Sequence, residues 1–204
     1  MRKVVLVYGK TGCGKTTLAR KVRSKFAKVI TLDPLHEYDG DIFFEFDATV
    51  NRIRSCFDDW QGSTFNITCR YHNDDDIESF FKLCCQLPDV LVCVEETEIY
   101  LNPRAPNKDF LWMINYGRHR NISLLCIGRR VPELSISLRA QATSIYTFTQ
   151  TEPRDLQLLE AYGFDQNEVQ SLPQYHYKLI GEELAETDNQ AQEETLPSHD
   201  GEGV

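Results

Sequence analysis

Short apolar runs alternate along the chain with segments of helical periodicity. Lys3 to Tyr8 is apolar and β-branched and is expected to form a first strand. The glycine-rich stretch Gly9 to Gly14 predicts a loop, and Lys15 to Lys25 a helix. Val29 to Leu32 predicts a second strand that ends at Asp33-Pro34; Ile42 to Phe46 and Phe65 to Cys69 predict two more. From Asp75 to Gln86 the residues Ile77, Phe80, Phe81 and Cys84 recur at helical spacing, and Pro88 stops the helix. Val90 to Val94 and Ser123 to Ile127 are apolar almost throughout, as strands covered on both faces require. Asp109 to Tyr116, Pro153 to Tyr162 and Gln166 to Leu172 suit helices; Ile145 to Phe148 and His176 to Ile180 suit strands. Strands alternating with helices imply a three-layer α/β/α sandwich with a mainly parallel central sheet.

The length of 204 residues suffices for one such domain. No apolar run reaches the roughly 18 residues that a membrane helix needs. The N-terminus shares with signal peptides a charge ahead of an apolar run, but the run is short and flows into the loop, so a strand is expected. The net charge of −9 is uneven. Eight acids and no Lys or Arg follow Gly181, and without them 23 acids face 22 bases. Residues 1–181 are therefore expected to be the folded domain and 182–204 an acidic, disordered tail. The seven cysteines form no C-x-x-C pair and show no zinc spacing, a pattern that suits a reducing setting.

The candidate chemistry begins in the first loop. Gly9-Lys10-Thr11-Gly12-Cys13-Gly14-Lys15-Thr16 fits G-x-x-x-x-G-K-[ST], with a strand before it and a helix after it. Glycines let the backbone curl so that its amides face one point, and the helix N-terminus adds positive potential there. Lys15 is expected to reach the β- and γ-phosphates of ATP, Thr16 to ligate Mg²⁺, and Thr17 to bond on the α-phosphate side. A second signal is the strand ending in Glu95-Glu96. Ligands bind at the carboxyl ends of strands in such sheets. Glu95 is thus expected near the metal, and Glu96 near the γ-phosphate, where it would polarise the attacking water.

With the loop and the paired acids, Thr31-Leu32-Asp33-Pro34-Leu35-His36-Glu37-Tyr38 and the stretch from Gly117-Arg118-His119-Arg120 through Gly128-Arg129-Arg130 complete a pattern. It resembles the FtsK–HerA superfamily of DNA-pumping ATPases, and within it the genome-packaging ATPases of tailless icosahedral viruses with an internal membrane. The resemblance implies translocation of double-stranded DNA into a capsid and a ring oligomer, with six subunits as the expected number. It also implies docking on capsid or internal-membrane vertex proteins, and a location in the host cytoplasm and the virion. Arg118 and Arg120 match the family's Gly-Arg position and are candidates to act on a neighbour's site; Arg129 is the candidate within the chain. The family more often has Asp where this chain has Glu95, and Gln where it has Arg129.

Other residues leave alternatives open. Arg104 and Lys108 suit either contact with DNA phosphates or an ordinary solvated loop. Asp33 and Glu37 suit orientation of the phosphate loop, contact with a neighbouring subunit, or a simple helix or turn cap. Tyr175, Tyr177 and Phe148 are expected to pack the sheet edge, and the histidines to be structural or superficial. A chain of this size with an N-terminal phosphate loop also suits a small nucleoside or nucleotide kinase, which would need an acceptor site and an arginine lid.

Overall fold

The computed structural model describes residues 1–101 and 106–184. Its centre is an eight-stranded sheet in the order β3-β4-β2-β5-β6-β1-β7-β8. The strands are β1 (Val4–Tyr8), β2 (Lys28–Leu32), β3 (Asp41–Phe43), β4 (Phe65–Cys69), β5 (Leu91–Val94), β6 (Ser123–Gly128), β7 (Ser144–Thr147) and β8 (Lys178–Gly181). Among the described residues seven strands run parallel, and the edge strand β8 pairs antiparallel to β7. The expected three-layer sandwich with a mainly parallel sheet is the observed architecture.

Alternation along β1 divides the core. Val5 and Val7 face α1 (Lys15–Arg23), where they meet Leu18, Ala19 and Val22. Val4, Leu6 and Tyr8 face the other layer. That layer holds α2 (Phe46–Arg54), α3 (Asp74–Cys84), the single turn α4 (Thr97–Tyr100), α5 (Lys108–Tyr116), α6 (Ile136–Ala140), α7 (Pro153–Ala161) and α8 (Gln166–Gln170). Stacked Phe81 and Phe110, with centroids 4.9 Å apart, tie α3 to α5. α3 starts where Asn73 accepts from the amide of Asp76 at 2.7 Å, and three aspartates in its first turn complement the helix dipole.

The chain departs from the sequence-based reading after β3. The strand ends at Phe43, and Phe46 begins α2 instead of closing a strand. Only Thr49 and Ile53 of α2 are buried, so its apolar stripe is too thin to show as periodicity. At the far end, Glu182 to Leu184 lie against the sheet: Ser144 donates to the Glu182 carbonyl at 2.6 Å, and the Leu184 amide donates to the Tyr146 hydroxyl at 2.8 Å. Residues 185–204 of the expected tail, and Arg104, fall outside the described residues. All seven cysteines are free thiols. Among the described residues no helix is long and apolar enough to cross a membrane.

Candidate functional site

The sheet order brings three strand ends together. β6 lies between β1 and β5, with Tyr8 level with Gly128 and Val94 level with Cys126. The loop after β1, Glu95-Glu96 after β5 and Arg129 after β6 therefore emerge side by side at one edge.

The loop is shaped by space as well as by dihedral freedom. Gly12 and Gly14 have φ of +77° and +108°, a left-handed backbone that favours glycine. Gly9 is constrained differently: a Cβ there would lie 2.5 Å from the Cys13 sulfur and 2.8 Å from Phe148 Cβ. Burial pushes the Cys13 thiol up, so it stays neutral in the loop. The Leu18 amide donates to the Gly14 carbonyl at 3.1 Å and starts α1 directly behind the loop. Lys15 Nζ donates to the carbonyls of Gly9 (2.9 Å) and Lys10 (3.0 Å), which holds the ammonium across the loop mouth. Lys10 and Thr11 are exposed on the rim, and Lys10 donates to the Thr151 hydroxyl at 2.6 Å.

A second group reaches the loop from the turn after β2. Asp33 is fully buried and accepts from the amide of Glu37 (2.8 Å), the amide of Tyr38 (3.1 Å) and Arg70 Nε (3.0 Å). Arg70 also donates to the Tyr38 carbonyl at 2.7 Å. Asp33 thus caps the turn through the Glu37 and Tyr38 amides, with Arg70 clamping its carboxylate from the side. It delivers Glu37, whose carboxylate accepts from the Thr16 hydroxyl, and Tyr38, whose hydroxyl donates to Glu95. Arg23 sits 4.4 Å above the Tyr38 ring and holds it in place. Glu95 is 3% exposed. Burial pushes its carboxyl up to about 7, the nearby Glu37 charge adds to this, and the Tyr38 hydrogen bond and Lys15 oppose it.

Glu96 stands on a left-handed backbone with φ +47° at the start of α4, which turns its carboxylate back towards β6. Arg129 Nη2 lies 2.8 Å from it. The same guanidinium meets Glu98 through Nε at 3.4 Å, and the Arg129 amide donates to Glu98 at 3.2 Å. Burial and the Glu98 charge push the Glu96 carboxyl up, against the pull of Arg129. Gly128 leaves room for this group, since a Cβ there would lie 2.9 Å from the Glu98 carboxylate. Gln150 donates to the Arg129 carbonyl at 3.2 Å from the end of β7.

These groups enclose a cavity of about 330 Å³ lined by Lys15, Thr16, Glu37, Glu95, Glu96 and Tyr175, among others. Thr17 shares its wall. Arg118 and Arg120 are elsewhere. They are exposed on the 3₁₀ turn Gly117–Arg120 ahead of β6, at the end of the sheet opposite the loop, and Arg120 donates to the Gln86 carbonyl at 3.1 Å. Lys108 is exposed at the start of α5. Tyr175 does not pack the sheet edge as expected: it is 66% exposed and stands over the loop. Phe148 does pack there, against Tyr177. Three contributors escaped the sequence reading. Arg70 and Glu98 carry no motif, and the partnership of Tyr38 with Glu95 spans 57 positions.

Among the described residues no three His, Cys, Asp or Glu side chains converge on a metal site. The oxygens present nevertheless suit Mg²⁺, which is commonly held by one or two protein oxygens together with substrate phosphates and waters. The Thr16 hydroxyl gives its proton to Glu37 and keeps its lone pairs for a cation, with the buried Glu95 carboxyl as the second protein oxygen.

The strand order, the loop and the acids at the end of β5 define a P-loop NTPase-like α/β fold. No protein-family model and no curated protein matches the sequence. Solved structures do match. The genome-packaging NTPase of Sulfolobus turreted icosahedral virus 2, in complex with sulfate, superposes with a TM-score of 0.69 and 17% identity over 88% of this chain and 91% of that one. Its AMPPCP complex gives 0.68, with 18% identity over 87% of this chain and 91% of that one. The DNA-packaging ATPase of Sulfolobus turreted icosahedral virus gives 0.61, with 17% identity over 88% of this chain and 93% of that one. VirB4 of Thermoanaerobacter pseudethanolicus gives 0.54, with 10% identity over 88% of both chains. The structural likeness to a packaging NTPase and to VirB4 agrees with the resemblance drawn from the sequence, and at these identities it describes the fold.

Proposed function

We propose that the chain is a Mg²⁺-dependent ATP hydrolase that drives double-stranded DNA into a viral capsid. The observation that carries the hydrolase reading is the placement of Glu96, bound to Arg129, on the same cavity as Lys15 and Thr16. A phosphotransferase must keep water from the γ-phosphate; a carboxylate on the wall of this cavity instead suits a hydrolase, which needs a group to position that water.

The residues divide the work. The loop amides and Lys15 bind the phosphates, with Lys15 exchanging its carbonyl partners for phosphate oxygens. Thr16 and Glu95 would hold Mg²⁺, which would supply charge neutralisation on the phosphates when bound. The incoming γ-phosphate competes with Glu96 for the Arg129 guanidinium. A released Glu96 carboxylate then accepts a proton from the attacking water as the bond between the γ-phosphorus and the β–γ bridging oxygen breaks. The proton passes to the products, so ATP and water yield ADP and phosphate.

The DNA-packaging part of the reading is supported by what the similar solved structures are: packaging NTPases of two icosahedral viruses. On this reading the chain forms a ring of six at the packaging vertex and docks on capsid or internal-membrane vertex proteins. Arg118 and Arg120, exposed and remote from their own loop, then serve the neighbouring site. Glu96→Gln tests the assignment. It should retain binding of a fluorescent ATP analogue and lose at least about 100-fold in turnover, the order expected for removal of a general base. Turnover within about threefold of the parent would remove Glu96 from this role. Phosphate transfer only on addition of a nucleoside or nucleotide acceptor would favour the kinase instead.

A further inference from the structure

Gly14, Thr17 and Tyr175 line the phosphate cavity and also a second cavity of about 220 Å³ beside it. The second cavity is completed by Leu18, Lys21, Phe148 and Tyr177. Its aromatic wall is fixed: Phe148 is buried and packs on Tyr177 with centroids 5.7 Å apart, and Tyr177 packs on Tyr146 at 5.3 Å. Tyr175 differs from both. It is two-thirds exposed, its φ is +68°, and its ring lies 3.4 Å from where a Cβ on Gly14 would stand. Core packing does not explain a large aromatic presented on a left-handed backbone at the lip of the loop.

We infer that this cleft takes the base and ribose of a purine nucleoside triphosphate by stacking, without reading the edge of the base, so that ATP and GTP are both substrates. The inference rests on the loop being the triphosphate site. Phosphates held on the amides of the loop continue past Thr17, and the three shared residues make one track from phosphate to base. Adenine and guanine differ in the donors and acceptors along their edges. Telling them apart takes a fixed donor or acceptor aimed at that edge. The side chains here offer the hydroxyls of Thr17, Tyr175 and Tyr177, which donate or accept as the base requires, and no carboxylate or amide. Lys21 brings a cation that already has an interaction partner. Stacking, by contrast, uses a face that every base presents, and purines present the larger one.

The test compares kcat/KM for ATP, GTP, CTP and UTP in the parent, in Tyr175→Ala and in Tyr175→Trp. Tripolyphosphate, which carries the phosphates without the base, serves as a competing inhibitor. ATP and GTP should agree within about tenfold, since no edge contact separates them. Tyr175→Ala should raise KM for both by about tenfold, the scale of one lost stacking partner. Tyr175→Trp should restore it, and tripolyphosphate should inhibit parent and Tyr175→Ala alike. A preference above about 100-fold for one purine would overturn the inference, because it demands edge readout. So would an unchanged KM in Tyr175→Ala. If no triphosphate is turned over, equilibrium binding of ATP and GTP to the same variants makes the same comparison, so the cleft stands or falls separately from hydrolysis.

Discussion

Glu95 is buried at a cost to the fold. Its carboxyl titrates near the ordinary 4.5 when unfolded and at about 7 in the fold, so the folded state prefers the protonated form. That contribution is fully present below about 4.5 and is lost as pH rises through about 7. Above it, the buried carboxylate weakens the protein by something on the order of 3 kcal/mol. Glu95→Gln should therefore melt higher than the parent at pH 8 and close to it at pH 4, in thermal denaturation without nucleotide. A difference independent of pH would show that Glu95 titrates normally. Gly9 poses a steric question instead. Gly9→Ala drives a Cβ against the Cys13 sulfur and the Phe148 Cβ and should cost about 1–3 kcal/mol in urea denaturation. Cys13→Ala in the same background should recover part of the loss, because the sulfur is the closer of the two atoms; no recovery would place the clash on Phe148 alone.

At the scale of elements, the turn after β2 decides whether the loop has its carboxylates. Arg70→Met removes the ion-pair partner of a fully buried Asp33 and should cost up to roughly 3–5 kcal/mol, with the two amides on Asp33 holding the loss towards the lower figure. Hydrogen exchange should quicken at the Glu37 and Tyr38 amides, which Asp33 holds, and not in β5. Unchanged protection of those amides would mean that the turn keeps its shape without the clamp. The sequence made much of this architecture legible. Continuous apolar runs such as Val90 to Val94 announce buried parallel strands, and the phosphate-loop motif with its flanking strand and helix pointed to the loop that lines the cavity. α2 was hidden because two buried residues make no visible stripe. The links from Arg70 to Asp33 and from Tyr38 to Glu95 join positions 37 and 57 apart, and only the strand order reveals them. Glu98 was hidden for the opposite reason: it lies two positions from Glu96, but only the left-handed turn at Glu96 lets both acids share Arg129.

For the whole molecule, the two ends of the central strands separate the candidate arginines. Arg129 stands with the loop, whereas Arg118 and Arg120 lie at the opposite end of β6, remote from their own loop. If they complete a neighbour's site, an inactive Lys15→Ala subunit mixed with an inactive Arg118→Ala/Arg120→Ala subunit should recover turnover. Some interfaces then pair an intact loop with intact arginines. Recovery is expected to rise with total protein as rings assemble, and its absence in assembled mixtures would leave those arginines without a role in trans.

Phosphate release measures coupling between the loop and DNA most directly. Purified, assembled protein is supplied with ATP and Mg²⁺, with and without double-stranded DNA, and with no acceptor present. The expected result is release that rises with DNA irrespective of its sequence and disappears in Lys15→Ala. Release that is absent without an added acceptor, or that ignores DNA, would contradict a DNA-pumping hydrolase built on this site.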